Sequence, residues 1–500
     1  MKMKYRFLAA ALLVIMLVAT ACHTTSNQPS DTTGKDDPSQ TGTSSETVAD
    51  TTEKLVADVP KMDMDGLALT FLSANWASND YQVHEIFAEG YNSEFINDAM
   101  YDRILYMEST YNCEVKVIPA FDASTGHRMI EDSVMADAEN VYDFYLDKLN
   151  RYAELARQGY LLDLAELPHN DFEQPWWDTN SYNDLSICGY HFAVCSDITL
   201  VDKDYTSMLA FNTQLYTDIL PDEELPYELV RSGDWTFDAL YGLAKRASSD
   251  DVNNERYGLA IFRDTLLTFM VGGDYTIGGK DENDVPHVTL DDEATMNWSL
   301  HLMEKFNDEL VVCNIHALSE GDGGSGTLAS MFEENKTVFT YVRGNEVEFF
   351  RQTMEADFGI LPTPKRNEEQ KEYYTDVNPW GGVCLVMPIN SGDDLTEESI
   401  FLEDFACQGR KTVLPQYFNV LLDYRYARDD DSKEMLDIVY RNRRYDVGAI
   451  GNWNNYAYDY IAMTTKKDLN LSSFVNSNLE AINAQIDYLK TKIDEKYNKD

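Results

Sequence analysis

The chain has 500 residues, of which 44% are hydrophobic and 12% aromatic, enough apolar material for a globular protein of two or more lobes. Its 40 lysines and arginines face 87 aspartates and glutamates, which gives a formal net charge of −47. A surface of that sign repels phosphate backbones and anionic headgroups, which argues against nucleic-acid binding and against membrane attachment through a basic patch.

The first segment in chain order is an apolar run, residues 7–18, which follows three basic residues and ends shortly before Cys22. A membrane span needs about 20 apolar residues, so this run is short, and its basic start is typical of a secretory signal peptide. The residues up to Cys22 resemble the lipobox of bacterial lipoproteins, although Ala19 stands where that motif usually has Leu. We predict a signal peptide over 1–21 and lipidation of Cys22. A secreted protein with an unpaired Cys22 is the alternative.

The next segment, 22–60, is rich in Ser, Thr, Asp and Gly and contains few apolar side chains. Such a segment cannot bury enough apolar surface to offset its chain entropy, so we predict a disordered tether. The two segments together predict an extracytoplasmic protein anchored to the cell membrane by its lipidated N-terminal cysteine.

Strand and helix patterns alternate after the tether. Alternating apolar residues predict a strand over 67–75, helical spacing predicts a helix over 93–113, and a second strand follows over 114–121. Strand, helix and strand in this order predict a parallel βαβ unit. A further helix over 128–140 and a strand over 141–149 continue the alternation, so the predicted fold class is α/β.

The second half contains further helix signals. A hairpin is predicted around Gly189, and a helix is predicted to begin after Thr236 as its N-cap. Amphipathic helices are predicted over 291–308 and 479–497.

The cysteines after Cys22 are sparse and form no Cys-x-x-Cys pair. This spacing differs from a disulfide scaffold, so we expect most of them to be small buried residues. A turn at Gly189 and Tyr190 would direct Cys188 toward His191, so a Cys188–Cys195 disulfide is not expected.

Motifs for catalysis or metal binding are few. The chain has no HExxH motif, and the glycine-rich stretch 321–330 lacks the lysine of a phosphate loop, which predicts a flexible loop before a helix. The acidic runs 281–285 and 429–431 lack calcium-loop spacing. We predict no cofactor, no metal and no enzymatic activity. A glycosidase-type carboxylate pair stays open as an alternative, because so many acidic residues always offer candidates.

Five motifs stand in a fixed order over about 250 residues: YDFYLDKLNRYAELARQGYLLDL, GYHFAVCSDITLVDKDYTSMLAFNTQLY, DWTFDALYGLAKR, MFEENKTVFTYVRGNEV and ADFGILPTPKRNEEQKEYYTDVNPWGGVCLVMPINS. In this order they resemble the extracellular solute-binding proteins of ABC importers, in the maltose-binding-protein-like family 1. The likeness extends over nearly all of 67–494. Thr213 replaces a lysine of the family pattern and Asn345 replaces a tryptophan, so an aromatic stacking surface is missing from one expected place.

The resemblance implies a type II periplasmic-binding-protein-like fold, with two lobes joined by a hinge around a central ligand cleft. Lobe 1 is predicted from 61–194 and 380–428, and lobe 2 from 195–379 and 429–500. The implied function is capture of a small solute and its delivery to an ABC transporter permease. The resemblance implies that the solute is an oligosaccharide and that the protein is a monomer. A membrane-tethered glycoside hydrolase, or a receptor for peptides or for a sensor kinase, is the alternative.

A sugar site needs aromatic rings for the apolar sugar face and polar side chains for the hydroxyls. Ligands of open α/β sheets lie beyond the carboxyl ends of strands, so strand-end residues of these types are candidates. Competing structural roles are a helix cap for Asp147, an ion pair for Arg343, hinge packing for Trp380 and core packing for Trp453. The candidate ligand contacts are Asn75, Trp76, Tyr81, Asp147, Asn150, Arg151, Arg263, Tyr341, Arg343, Asn345, Trp380, Trp453, Asn454 and Tyr456.

Overall fold

The computed structural model describes residues 55–74, 86–136, 141–251, 255–318, 324–392, 395–422 and 430–497, and Leu55–Asp500 forms one compact unit. The predicted signal peptide, the lipidation site Cys22 and most of the tether lie outside the described residues. The candidate contacts Asn75, Trp76 and Tyr81 lie outside them as well. Within the described segments, no helix has both the length and the apolar character needed to cross a bilayer.

The strands are short and fall into two main sheets and two small pairs. Their bounds are β1 Leu67–Ala74, β2 Cys113–Ala120, β3 Phe144–Lys148, β4 Ser207–Asn212, β5 Tyr257–Ile261, β6 Gly278–Lys280, β7 Pro286–Val288, β8 Val312–Asn314, β9 Thr337–Arg343, β10 Phe358–Leu361, β11 Thr375–Asp376, β12 Val383–Val386 and β13 Arg443–Arg444.

The helices connect and cover these strands. Their bounds are α1 Phe95–Tyr111, α2 Ala123–Met135, α3 Tyr152–Gln158, α4 Thr179–Asp184, α5 Val201–Asp204, α6 Thr213–Ile219, α7 Pro226–Ser232, α8 Phe237–Ala247, α9 Thr265–Gly272, α10 Glu293–Phe306, α11 Ile315–Leu318, α12 Gly324–Glu333, α13 Gly344–Thr353, α14 Thr396–Gln408, α15 Leu414–Leu422, α16 Asp430–Arg441, α17 Val447–Gly451, α18 Tyr456–Lys466 and α19 Leu471–Tyr497.

The first sheet has the strand order β12-β3-β1-β2. Strand β1 runs parallel to β2 and to β3, which confirms the predicted βαβ unit, and β12 returns antiparallel to β3. Aromatic packing joins this sheet to α14: the rings of Phe71 and Phe144 lie 4.6 Å apart, and Phe144 stacks on Phe401 at 6.0 Å.

The second sheet has the order β10-β4-β9-β5-β8, with β5 parallel to β8 and β9 and the other neighbours antiparallel. Its core includes the fully buried Trp235, whose indole N–H donates to the carbonyl of Pro362 at 2.9 Å. The next residue, Thr236, is the N-cap of α8, because its hydroxyl accepts from the amide of Ala239. The predicted helix start is therefore confirmed.

The closing helix α19 joins the two halves. Ile482 and Ile486 pack in the core of the second sheet, whereas Leu489 and Ile493 pack in the core of the first. The hydroxyl of Tyr497 donates to a backbone carbonyl beside the first sheet at 2.8 Å. One helix face therefore serves two cores, which periodicity alone does not indicate.

Three local predictions need correction. The last helix begins eight residues earlier than predicted, at Leu471. The stretch 321–330 is not wholly a loop, because α12 begins within it at Gly324. The hairpin bridge joins Ile187 to Tyr190, so the turn is at Cys188 and Gly189, where both residues have the positive φ that a tight hairpin requires.

The cysteines fit the expectation that most are buried. Among the described residues Cys113, Cys195, Cys313, Cys384 and Cys407 are buried and carry free thiols. Cys188 is half-buried, and burial raises the pKa of its thiol to about 11. These thiols are protonated at neutral pH and pack as small apolar groups.

Candidate functional site

Polar and aromatic side chains from both sheets meet where the chain crosses between them. We call this group the crossover cluster. It comprises Lys148, Tyr205, Phe262, Arg263, Asp264, Arg343, Asn378, Trp380 and Tyr458. Strand ends supply Lys148, Arg263 and Arg343, and the crossing segments supply Tyr205, Asn378 and Trp380.

The buried ring of Tyr205 lies at the centre of this cluster. It packs directly on Gly381, where a Cβ would come within 1.9 Å of the ring. The ammonium of Lys148 lies 5.8 Å from the ring centroid and donates to the carbonyl of Gly381 at 3.0 Å, and the guanidinium of Arg343 lies 5.3 Å from the same ring. Two cations therefore flank one aromatic ring at the junction of the sheets.

Arg343 forms an ion pair as well as facing the cluster. Its guanidinium donates to the carboxylate of Glu346 at 2.7 Å, and its backbone amide donates to the same carboxylate at the start of α13. Burial lowers the pKa of Arg343, but Glu346, Tyr341 and Tyr205 together raise it by more, so the guanidinium keeps its charge. The structural role weighed for Arg343 is present, and its side chain is only 16% exposed.

The open part of the cluster combines charges with two aromatic rings. Arg263 contacts Asp264 at 3.3 Å, and the side-chain amide of Asn378 donates to the other oxygen of Asp264 at 3.4 Å. The ring of Trp380 lies 4.9 Å from that of Tyr458. Arg263 and Asp264 keep 39% and 27% of their side chains exposed, so both are accessible to a solute.

Burial and the neighbouring charges of Arg263 and Asp264 set the protonation of Tyr458 in this open part. Burial raises the pKa of the Tyr458 hydroxyl, and the neighbouring carboxylate of Asp264 raises it further. The hydroxyl therefore stays protonated and can donate a hydrogen bond at neutral pH. A guanidinium, a carboxylate, an amide and aromatic rings in one place can stack on a sugar face and bind its hydroxyls.

A second group of candidates lines a cavity of about 590 Å³ beside the crossover cluster. Asn150 and Arg151 enter it from the start of α3, and Trp453 enters it from the loop before α18. Tyr488 of α19 completes the wall. The backbone amide of Asn150 donates to the carbonyl of Pro379 at 3.2 Å, which places this cavity next to the crossing segment. Three segments widely separated in sequence are thus brought together.

Asp147 lies beneath this surface instead of on it. Its carboxylate is fully buried, lies 2.7 Å from the Nε2 of His127 and accepts from the amide of Lys148. The N-cap position of α3 is Arg151, so Asp147 is not the helix cap that was considered as its alternative role. Tyr341 is also interior, with its hydroxyl 3.1 Å from that of Ser207.

The remaining candidates do not join either group. Tyr456 is fully buried and stacks on Phe474 at 5.3 Å, and Asn345 is buried in α13. Asn454 is exposed and hydrogen-bonded to α19, through Gln485 and Asn478 at 2.9 Å each. Position 345, where the family pattern has a tryptophan, therefore supplies no aromatic surface.

Several residues of the crossover cluster were not among the ligand contacts predicted from the sequence. Asp264 directly follows the candidate Arg263, and Tyr458 lies two residues after the candidate Tyr456 in the same motif. Lys148 follows Asp147 at the end of β3. A search that included both sequence neighbours of each candidate would have found Asp264 and Lys148. Tyr205 and Asn378 carry no comparable signal.

Comparison with known proteins gives a clear answer for the fold. No family model matches the sequence, and no curated protein matches it either. Among solved structures, the chain is similar to an ABC substrate-binding protein from Listeria monocytogenes in complex with cycloalternan, at a TM-score of 0.54 and 14% identity over 85% of this chain and 100% of that one.

Two further structures have the same TM-score of 0.54. One is a cyclic alpha-maltosyl-1,6-maltose binding protein from Arthrobacter globiformis, with 12% identity over 85% of this chain and 100% of that one. The other is the galacto-N-biose/lacto-N-biose I-binding protein of the ABC transporter from Bifidobacterium longum, with 13% identity over 86% and 98%. At these identities the likeness establishes the fold, and the predicted two-lobed α/β class is confirmed.

Proposed function

We propose that this protein is an extracytoplasmic solute-binding protein that captures an oligosaccharide and delivers it to an ABC transporter permease. The observation that carries the proposal is the open part of the crossover cluster. There Trp380 and Tyr458 offer aromatic surface beside the charges of Arg263 and Asp264. The three solved structures named above share this fold, and each is described as a binding protein for an oligosaccharide or in complex with one.

The physical work is binding and closure. Lobe 1 comprises 61–194 and 380–428, and lobe 2 comprises 195–379 and 429–500, so the crossover cluster lies at their hinge. A sugar stacked on the rings and bonded to polar groups of both lobes stabilises the closed arrangement over the open one. The permease then recognises the closed form, and the solute leaves chemically unchanged.

The proposal includes the anchor. Lipidation of Cys22 holds the body at the outer face of the cell membrane, and the tether over 22–60 lets it reach the permease. The support is the sequence pattern of the leader together with an acidic body, since a net charge of −47 gives anionic headgroups no electrostatic reason to hold it. Mass spectrometry of the membrane fraction tests this: a diacylglycerol-modified Cys22 is expected, and an unmodified cysteine contradicts it.

The site is tested by melting the protein with a panel of oligosaccharides and peptides. A saturable rise in Tm with one class of oligosaccharide, and none with peptides, is expected, because a ligand of the folded state alone stabilises it. Trp380→Ala and Asp264→Asn should each weaken binding by about tenfold or more. The first removes a stacking surface, and the second replaces a charged acceptor oxygen by an amide donor.

The matched control is Tyr91→Ala. Tyr91 is an exposed aromatic residue that is 61% accessible and hydrogen-bonded to Asp102, outside the cluster. The Tyr91→Ala substitution should leave the affinity for the oligosaccharide unchanged. Equal affinities of wild type, Trp380→Ala and Asp264→Asn would show that the sugar does not bind at the crossover cluster.

A further inference from the structure

A second cavity, of about 430 Å³, shares no lining residue with the 590 Å³ cavity or with the crossover cluster. We call it the arginine cavity. One wall holds Trp176 and Trp177, which belong to the core of the first sheet, and another holds Leu414, which belongs to the core beneath the second. Its charged lining residues are Asp178, Asp197, Lys203, Arg410, Asp437, Arg441 and Arg443.

The charge of this lining differs from that of the chain as a whole. Four cations face three carboxylates here, whereas the whole chain has 40 basic residues against 87 acidic ones. With the buried Asp202 behind the lining, cations and carboxylates are equal in number here, so the cavity lacks the excess of negative charge that the rest of the chain carries. Anions are repelled from most of the surface, so this cavity is where one would be retained.

Two of the four cations are already neutralised. The guanidinium of Arg443 pairs with Asp178 at 2.6 Å and with Asp202 at 2.7 Å. The ammonium of Lys203 lies 3.0 Å from Asp197 and 3.0 Å from Asp202. These two cations share three carboxylates, and the buried pairs form the floor of the cavity.

The other two cations keep unused donors. Among the described residues, Arg410 contacts one carboxylate, that of Asp197, at 3.5 Å. Lys203 pairs with the same carboxylate, and 39% of the Arg410 side chain is exposed. Arg441 forms no ion pair with any residue in the described part of the chain, although Asp437 lies one helical turn before it. Two guanidinium groups with free planar donors are suited to a carboxylate or a phosphate, which they bind in a bidentate fork.

Backbone geometry supports a built site. Arg410 belongs to a π-helical segment, Gly409–Val413, between α14 and α15. Such segments are rare and occur frequently at functional sites. The chain can pass there only because Gly409 has no side chain, since a Cβ would lie 1.9 Å from the carbonyl of Asp197. This close approach fixes where the Arg410 side chain leaves the helix.

The aromatic walls complete the chemistry. The indole N–H groups of Trp176 and Trp177 both donate to the carboxylate of Glu403, at 3.1 and 2.8 Å, so these donors are directed to α14 and are not offered to a ligand. Phe418 and Tyr440 add apolar surface. We propose that the arginine cavity binds a small anion with a carboxylate or phosphate group, held by Arg410 and Arg441.

Isothermal titration calorimetry at constant ionic strength tests the site with inorganic phosphate and with succinate, against a chloride background. Saturable binding of either anion is expected. Binding of phosphate alone would assign a phosphoryl ligand, and binding of succinate alone would assign a carboxylate. Absence of saturable heat with both anions overturns the proposal.

Arg410→Gln and Arg441→Gln should each weaken binding by about tenfold, because each removes a charge-assisted hydrogen-bond donor. Both side chains are partly exposed or lack an ion pair, so folding should not suffer, and unchanged melting checks this. Arg128→Gln is the matched control, since Arg128 is an exposed arginine outside the cavity that donates to the Thr125 hydroxyl at 3.3 Å. Binding that survives both cavity substitutions, or falls equally in the control, overturns the assignment.

Discussion

The carboxylate of Glu403 should make the folding stability depend on pH. Glu403 is 2% exposed and accepts from both indole N–H groups of Trp176 and Trp177, from Asn170 and from the amide of Asp171. Burial raises its pKa to about 7 although these four donors lower it. Glu403→Gln removes the titrating proton while keeping an oxygen that accepts from one indole.

The sign and size follow from this raised pKa. The folded protein binds a proton more tightly than the unfolded chain, so folding is favoured at low pH and loses stability as pH rises from about 4.5 to about 7. The difference between the pKa of about 7 and the ordinary value of 4.5 corresponds to about 3 kcal/mol of unfolding free energy, at about 1.4 kcal/mol for each pKa unit. For a folded body of this size, a loss of that free energy lowers Tm by about 3 °C.

The assay is calorimetric melting of wild type and Glu403→Gln between pH 5 and pH 8. Asp143, Asp376 and Asp446 also have pKa values raised to about 6 by burial, so both proteins lose stability over this range. The wild type should lose about 3 °C more than the variant. Glu397→Gln, in the first turn of the same helix, is the control and should follow the wild type. Parallel pH profiles for wild type and Glu403→Gln would refute the reasoning.

Two substitutions test the framework around the site. Arg443→Ala should cost about 3–5 kcal/mol of unfolding free energy, because it leaves the buried carboxylates of Asp178 and Asp202 without their guanidinium. A loss below about 1 kcal/mol in urea denaturation would show that the network carries no net stability. Thr236→Ala should cost about 1 kcal/mol, because the amide of Ala239 loses its acceptor at the start of α8. Unchanged melting of that variant would mean that the cap is dispensable.

Local patterns were enough to predict the elements that depend on local forces. The β1–α1–β2 unit and the Thr236 cap follow from apolar periodicity and capping chemistry within about 50 residues of chain. The division of α19 between two cores could not be predicted this way. The apolar face of α19 has the same sequence pattern whichever core it packs against.

The site illustrates the same limit. Tyr456 and Tyr458 lie two residues apart on α18, so the helix directs them to nearly opposite sides. Tyr456 stacks on Phe474 in the core, and Tyr458 meets Trp380 in the cluster. Sequence identified the motif but not which ring faces the solute, since that choice depends on where distant segments pack.

The buried charges around Arg443 show why other residues were missed. Its partner Asp202 is 241 positions away in sequence, and no spacing rule joins two such residues. The buried Trp176 and Trp177 likewise donate to Glu403, more than 220 residues later. Long-range partners of this kind become visible only in the folded protein.

The central claim is that the protein binds an oligosaccharide and releases it intact. The most direct measurement is a calorimetric titration with the oligosaccharide that gives the largest Tm shift, followed by mass spectrometry of the sugar recovered after denaturation. We expect saturable binding at one molecule per chain and recovery of the sugar at its original mass. Shortened or hydrated products, or no saturable binding of any oligosaccharide, would contradict it.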